Sequence, residues 1–386
     1  MNLQFTADHE AMRLEFRKLL AAARPRSAFE GPRDPGGVGL HVGDGALWQQ
    51  LAELGWLATA VPEAQGGSGL DAQSLCVLAE EAGRQLAAVP FTASACGFTH
   101  ALLAFTDEPA VRSLLPRLAD GSARGVLLSD DCWPRSPELR ADAGQVTLSG
   151  RARNVLDGAA STHALALAGE GSAARLVLFD IADEARGPAA PKPLDLLHPC
   201  CDLAIESQAV QVLAHGEAAR AQWSRMLHHH ALFVAFEQLG GAEAALEAAR
   251  RYSLQRYAFG RPIGSFQALK HLMADMLVSI ALARSNCCFG AAALASDGDL
   301  LCEAAAVARI SATEAFRLCA SGSTQVHGAL GITWESDCHL YYRRAQALAG
   351  SPGSLRSWKE RLVALLRERS RQAAAESPRA VPAQAA

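Results

Sequence analysis

Two changes of hydrophobic period divide this chain. Up to about residue 123 the apolar residues recur at helical spacing, broken by loops at 31–43 and at VPEAQGGSGL, residues 61–70. Near residue 124 the pattern becomes short, β-rich runs, GVLLS, QVTLSG, HALALA, ARLVLFDI and DLAIESQAVQVL, separated by Gly, Asp, Pro and Ser. After about residue 216 the helical period returns in three long stretches. Phe233, Phe236, Leu239 and Leu246 mark the apolar face of the first, Leu269, Met273, Met276 and Ile280 that of the second, and the third covers roughly 299–323. Shorter helices are expected at 336–347 and 354–368. The reading is an α+β chain with an N-terminal helical domain (1–123), a small central β-domain (124–215) and a C-terminal four-helix-type bundle (216–370). The tail at 371–386, RQAAAESPRAVPAQAA, lacks an apolar face and is expected to be disordered.

Composition narrows the function. With 386 residues, 50% of them hydrophobic, the chain can bury a large core, and a net charge of −4 advertises neither nucleic acid nor an anionic membrane as a partner. Ten cysteines without CxxC spacing read as buried reduced thiols rather than a zinc site or a disulfide framework. The N-terminal MNLQFTADHEAMRLEFRKLL is an amphipathic charged helix, unlike a signal sequence, and no apolar run reaches the roughly 18 residues that span a bilayer. A soluble cytoplasmic protein is expected.

The chemistry is concentrated at one break. RYAFGRPIGSFQALKHLMADM, residues 256–276, interrupts two helical patterns with Gly260-Arg261-Pro262-Ile263-Gly264, which a continuous helix would not tolerate. Arg256, Phe259, Gly260 and Gln267, followed by Ala274-Asp275-Met276, resemble the most recognisable signature of the acyl-CoA dehydrogenase family. QVHGALGITWESDCHLYYRRA, residues 325–345, is similar to its second signature, and residues 51–91 to its glycine-rich loop and glutamate-rich helix. The resemblance runs to about residue 370 and implies FAD. In the family this break joins two bundle helices and covers the adenosine pyrophosphate of FAD held by a neighbouring subunit. Arg256, Phe259 and Gln267, joined by Gln325, His327, Gly328 and Ala329, would do so here. A guanidinium fork suits pyrophosphate oxygens, and glycine lets backbone approach closely. The plain structural alternative is that Arg256 and Gln267 cap helix ends at a bundle corner.

The catalytic base is not where the resemblance would put it. Acyl-CoA dehydrogenation needs a carboxylate against the α carbon in a water-poor site. The family's usual glutamate position, reached through Arg343-Arg344-Ala345, falls on Pro352 in Ala349-Gly350-Ser351-Pro352-Gly353-Ser354. The alternative position of some members falls on His230, in a run His228-His229-His230 that reads as a solvated cluster at a helix start. Glu237, two turns on, reads as a polar contact to a bundle partner. The stretch LLSDDCWPRSPEL, residues 127–139, lacks the family's flavin-ring loop. No catalytic residue is therefore assigned. The resemblance points to the bacterial steroid- and bile-acid-degrading branch and implies an acyl-CoA substrate and a homologous acyl-CoA dehydrogenase subunit in a heterotetramer, with electron-transferring flavoprotein as electron acceptor. A self-sufficient homo-oligomer with a relocated base, His230 or Glu237, and a flavin-free acyl-CoA-binding scaffold are the alternatives. Arg343 and Arg344 read as compatible with a subunit interface.

Overall fold

The computed structural model describes residues 3–23, 44–142, 145–187, 194–198, 200–296 and 300–376; the loop expected at 31–43 lies outside them. Five helices come first: α1 (Ala7–Ala22), α2 (Gly45–Glu53), α3 (Ala72–Arg84), α4 (Thr99–Leu102), which continues a π-helical stretch Phe91–Phe98, and α5 (Pro109–Ala119). Asp44 and Asp71 accept the Leu47 and Ser74 amides and so cap α2 and α3.

Among the described residues seven strands follow, β1 (Gly125–Leu128), β2 (Glu138–Asp142), β3 (Gln145–Leu156), β4 (His163–Ala168), β5 (Arg175–Asp180), β6 (Cys200–Ala209) and β7 (Gln211–His215). They form a four-stranded sheet β1-β4-β5-β7, parallel only between β1 and β4, and a three-stranded antiparallel sheet β2-β3-β6. Period-2 alternation explains how the two sheets pack. Val126, Ala164, Val177 and Phe179 point to one side and meet Leu148, Ala152, Val155 and Leu203 of the other sheet. Leu127, Leu165, Leu176 and Leu178 point to the opposite side and pack on Leu114 and Leu118 of α5 and on Trp223 and Leu227. A sheet covered on both faces needs nearly continuous apolar strands, which is why GVLL and HALALA carry almost no polar residue.

The C-terminal bundle consists of α6 (Gly216–Gln255, 40 residues), a hairpin β8 (Tyr257–Ala258) and β9 (Arg261–Pro262), α7 (Gln267–Ser296), α8 (Leu301–His327), α9 (Cys338–Gly350) and α10 (Leu355–Glu376). Phe233, Phe236, Leu239, Met276 and Ile280 are buried where the helical spacing places them, with Leu246, Leu269 and Met273 packed against them. Helix α10 continues into the tail expected to be disordered, and residues 377–386 lie outside the described ones. An 18-residue window of α7 has a mean hydropathy of 1.5, enough for a membrane span by length and composition, contrary to the sequence expectation. Its buried side packs in the bundle core, which accounts for part of that apolarity.

Glu80 and Glu81 of the glutamate-rich helix α3 are fully buried and bind arginines of two other helices, α1 and α7. Arg13 reaches Glu80 at 2.7 Å, Arg284 of α7 reaches it at 2.6 Å, and Arg17 reaches Glu81 at 2.7 Å. Burial alone would raise the Glu80 carboxyl, but Arg284 and Arg13 hold it below its usual range. Two glycines let α3 and α6 come this close: a Cβ on Gly240 would lie 1.8 Å from the Glu80 carbonyl oxygen, and one on Gly83 would lie 1.9 Å from that of Glu237. Gly240→Ala must push the helices apart and should cost about 1–3 kcal/mol, measured as a lowered urea midpoint. An unchanged midpoint would show that the crossing is not tight.

Candidate functional site

Helices α6, α7 and α8 run alternately up and down, so the C-terminus of α6, the N-terminus of α7 and the C-terminus of α8 meet at one end of the bundle. Arg256 is the C-cap of α6, Gln267 opens α7, and Gln325 and His327 close α8 before Gly328 and Ala329. Arg256, Gln267, Gln325, Gly328 and Ala329 are exposed, and His327 is half-buried beneath them with its ring stacked on Tyr252 of α6. Phe259 stands at the tip of the β8–β9 hairpin, 95% exposed. Its φ of +53° is left-handed, a conformation that costs a non-glycine residue about 1 kcal/mol. Within this chain its ring meets Phe266 edge-on, centroids 6.3 Å apart, and the rest of it is left to solvent. Arg261 over the Phe266 ring, at 4.2 Å, stiffens the base of the hairpin. The amide end of α7 and the guanidinium groups of Arg256 and Arg261 supply donors and positive charge beside the carbonyl ends of α6 and α8, a partly aromatic surface chemically suited to a dinucleotide.

The inner part of the seam between the β-domain and the bundle is filled by the chain itself. Arg344 of α9, 4% exposed, turns inward. Its Nε donates to Glu237 Oε1 at 2.8 Å, Nη2 bonds the same oxygen, and Nη1 donates to Asp195 Oδ2 at 3.0 Å. This corrects the expectation of Arg344 at a subunit interface: the anions on α6 and on the 194–198 segment pull it into the core. Glu237 meets a bundle partner, as its spacing suggested. His198 donates from Nδ1 to Asp157 at 2.8 Å and from Nε2 to the Ala87 carbonyl at 2.8 Å. With acceptors on both nitrogens the ring is an imidazolium. Burial and Arg344 push its pKa down, but Asp157 and Asp195 outweigh them and raise it.

Arg309 of α8 is also fully buried, and its contacts are neutral: Gln238 Oε1 at 2.6 Å, Thr313 Oγ1, the Leu348 carbonyl and the Ser351 carbonyl at 3.0 Å. Burial without a contacting carboxylate pushes the guanidinium down to about 9, so it stays charged at neutral pH. Arg309, Arg344 and His198 thus balance Asp157, Asp195 and Glu237, three cations against three anions, which is what lets charge persist in a dry seam. The space left among His230, Glu237, Arg344, Asp157 and Pro352 is about 20 Å³, room for a single water. Neither a flavin ring nor an acyl chain fits. Pro352 lines this space in place of a carboxylate, and Arg309 holds the carbonyl of the preceding Ser351.

The outer side of the seam is bridged around a cavity of about 400 Å³ lined by Asp130, Trp133, Trp223 and Arg361. Asp130, in the stretch where the flavin-ring loop is missing, accepts the Trp223 indole N–H at 3.1 Å and pairs with Arg361 at 3.3 Å. Asp131 accepts the Gly353 amide at 3.3 Å. The degenerate loop has become a fastener between the β-domain, α6 and α10.

The histidine run is corrected by the structure. His228, His229 and His230 lie well inside α6, which begins at Gly216; His228 and His230 are buried and His229 is half-buried, rather than solvated. The N-terminal half of α6 is covered by α4, the β-domain and α10, so all three helical directions meet protein. His229 packs edge-on against His100 of α4 at 5.0 Å, and His228 against Trp358 of α10 at 5.3 Å. His230 Nδ1 sits where a Cβ on Gly97 would be, 2.3 Å away. Burial is the first cause that lowers each of these imidazoles, with His100, His228 and His230 at about 4 and His229 at about 3. His230 therefore has the protonation state of a base, but no cavity for a substrate in front of it.

Comparison with known proteins agrees with this architecture. Residues 6–122 match the family described as acyl-CoA dehydrogenase, N-terminal domain, and residues 198–357 match acyl-CoA dehydrogenase, C-terminal domain. The acyl-CoA dehydrogenase IpdE2 of Mycobacterium tuberculosis is 33% identical over 315 residues, covering 79% of this chain and 82% of that protein. Among solved structures, the Tcur3481-Tcur3483 steroid ACAD superimposes with a TM-score of 0.82 at 26% identity, covering 94% of this chain and 99% of the other. The ChsE4-ChsE5 complex of Mycobacterium tuberculosis gives 0.81 at 23% identity, covering 98% and 100%. A helical domain, a small β-domain and a helical bundle with a dinucleotide-suited corner define the acyl-CoA dehydrogenase class. The chain belongs to the acyl-CoA dehydrogenase family, whose members are FAD-dependent oxidoreductases acting on CH–CH groups. Asp195, His198 and Arg309, which complete the buried network, escaped sequence reasoning. They belong to no motif, and nothing in their spacing pairs them with Glu237 or Asp157.

Proposed function

We propose that this chain is the non-catalytic subunit of a heterotetrameric acyl-CoA dehydrogenase that desaturates a bulky, steroid-like acyl-CoA thioester. One contrast supports the reading: the inner part of the cis seam, where Pro352 and Glu237 lie, is filled by Arg344, Arg309 and their anions, leaving a cavity of about 400 Å³ only on its outer side, while the bundle corner with Phe259 stands open. FAD, seated mainly on a catalytic homologue, supplies the hydride acceptor for α,β-desaturation. This chain's residues position it: Arg256 neutralises pyrophosphate, Phe259 packs on an apolar face of the dinucleotide, and Gln267, Gln325, His327 and the backbone at Gly328 and Ala329 donate hydrogen bonds. The proton-abstracting carboxylate belongs to the partner, since Pro352 has no basic group and Glu237 is committed to Arg344. Likeness to a protein named a steroid ACAD supports the substrate class. Electron-transferring flavoprotein as acceptor and a cytoplasmic location complete the proposal.

The test is flavin stoichiometry of the purified chain, alone and co-expressed with dehydrogenase chains encoded beside it. A colourless lone chain and a yellow complex are expected, with Arg256→Ala in the complex losing most of its flavin on gel filtration. One FAD per subunit on the lone chain, reduced by a CoA thioester, would establish instead the self-sufficient enzyme. Tight acyl-CoA binding without flavin in any complex would establish the scaffold.

A further inference from the structure

Beyond Ala329 the second signature leaves the dinucleotide-suited corner and puts aromatic side chains on the surface. The turn Gly328–Ile332 is mounted tightly on α8. A Cβ on Gly331 would lie 2.7 Å from the Thr324 carbonyl oxygen, and Thr333 closes the turn by donating its Oγ1 and its amide to the Leu330 carbonyl at 2.9 and 3.1 Å. Helix α9 then packs its inner side against the bundle and α3, with Cys338 Sγ 3.7 Å from Ser323 Oγ of α8 and the Tyr341 hydroxyl donating to the Arg84 carbonyl at 2.8 Å. What remains outside is apolar. Ile332 is 75% exposed, Trp334 58% and Tyr342 41%. The His339 ring meets Trp334 edge-on at 4.7 Å, and His339 and Tyr342, one turn apart, share the side of α9 opposite buried Leu340 and Arg344. Glu335 and Arg343 border this stripe, and Arg343 is tied down by donating to the Leu194 carbonyl at 3.2 Å.

We propose that Ile332, Trp334 and Tyr342 form the docking stripe by which this chain holds the FAD-bearing dehydrogenase subunit, with Trp334 as its anchor. The inference rests on the non-catalytic-subunit reading above. The stripe continues the corner, since it follows Gly328 and Ala329 on the same turn, and Phe259 is a second apolar projection at that end of the bundle. A dinucleotide seated on another subunit and covered by this corner brings that subunit's surface up to the residues beside it. A second copy of this chain would bring no seated flavin there, because the inner part of its own seam is filled. The chemistry suits a protein partner: a tryptophan, a tyrosine and an aliphatic side chain protrude inside a charged border, the pattern of an interface core and its rim. The mounting favours binding as well. Side chains on a turn pinned by Gly331 and Thr333, with the indole held by His339, lose little freedom on docking. Arg344 turned inward, so the interface character of this segment lies in the aromatic residues ahead of it.

All six tryptophans of the chain are among the described residues and Trp334 alone is exposed, so iodide quenching of tryptophan fluorescence reads the stripe directly. The full chain is compared alone and co-expressed with the dehydrogenase chains encoded beside it, and assembly is measured by co-purification and sedimentation. Quenching is expected to fall about twofold or more on assembly, as docking shields the indole from water. Trp334→Glu should weaken assembly about thirtyfold or more, with circular dichroism and the urea midpoint of the lone chain unchanged. Trp334→Phe, which keeps an apolar ring, should recover most of that loss. Arg256→Ala should lose flavin while the chains stay together, which separates docking from cofactor contact. Assembly indifferent to Trp334→Glu, or an indole as accessible in the complex as alone, overturns the stripe and leaves the non-catalytic-subunit reading standing. Self-association of the lone chain that Trp334→Glu abolishes gives the stripe to a second copy and overturns the partner named here. No assembly of the natural chain with those dehydrogenase chains overturns that reading and this inference together.

Discussion

Arg344→Ala is expected to destabilise the chain by about 3–5 kcal/mol. The substitution leaves Glu237 and Asp195, both under 5% exposed, as buried anions that have lost their guanidinium. The cost arises from those uncompensated charges more than from the contact itself. Neutralising them in the same chain, with Glu237→Gln and Asp195→Asn, should therefore recover more than half of the loss. Urea unfolding of the three variants reads this directly. If Arg344→Ala shifts stability by less than about 1 kcal/mol, the range of an exposed pair, the seam is wet and the buried network is not what fills it. The result also bears on function, because a seam that depends on these charges cannot open for a flavin ring without unfolding locally.

Acid should unfold the chain well above the pH at which carboxylates titrate. His100, His228, His229 and His230 are held neutral, with values lowered from 6.5 to about 4, or about 3 for His229. An imidazole whose folded value is depressed stabilises the fold above its unfolded value, and that stability is lost as pH falls below about 6.5 until the folded value is reached. Each group then costs about 1.4 kcal/mol per pH unit, so the four together remove on the order of 5 kcal/mol by pH 5.5. His198 has the opposite sign. Its raised value contributes stability below the unfolded value that is lost as pH rises through the folded one, so stability should decline on both sides of neutrality. Urea midpoints between pH 7 and 5 should report an uptake of more than two protons on unfolding, and His229→Phe, which keeps an aromatic ring against His100, should reduce it by about one. An uptake below one proton would mean that these rings reach water in the folded chain.

The order of domains was legible because it rests on period alone. Apolar residues three apart, as at Phe233, Phe236 and Leu239, line one side of a helix, and HALALA, a short apolar run bounded by Ser161-Thr162 and Gly169, fits a buried strand. The break at Gly260-Arg261-Pro262 was legible for the same kind of reason: proline and glycine forbid helix, so α6 and α7 had to turn there, and with them came the exposed Phe259. Pro352 was equally plain, since a side chain without a proton acceptor cannot be a base in any fold.

Where charged side chains point is a different matter. Arg344 and Arg343 are adjacent and chemically identical, yet Arg344 is buried against Glu237 and Asp195 while Arg343 reaches the Leu194 carbonyl at the surface. The histidine run looked solvated because its immediate neighbours left it uncommitted; α4, α10 and the β-domain bury it. Those burials are decided by residues dozens to hundreds of positions away, whose charges and ring faces meet only after the helices have packed. Local periodicity therefore carries the elements and the open corner, whereas the closed seam exists only in three dimensions, because a buried charge is tolerated only where distant segments bring its counter-charge.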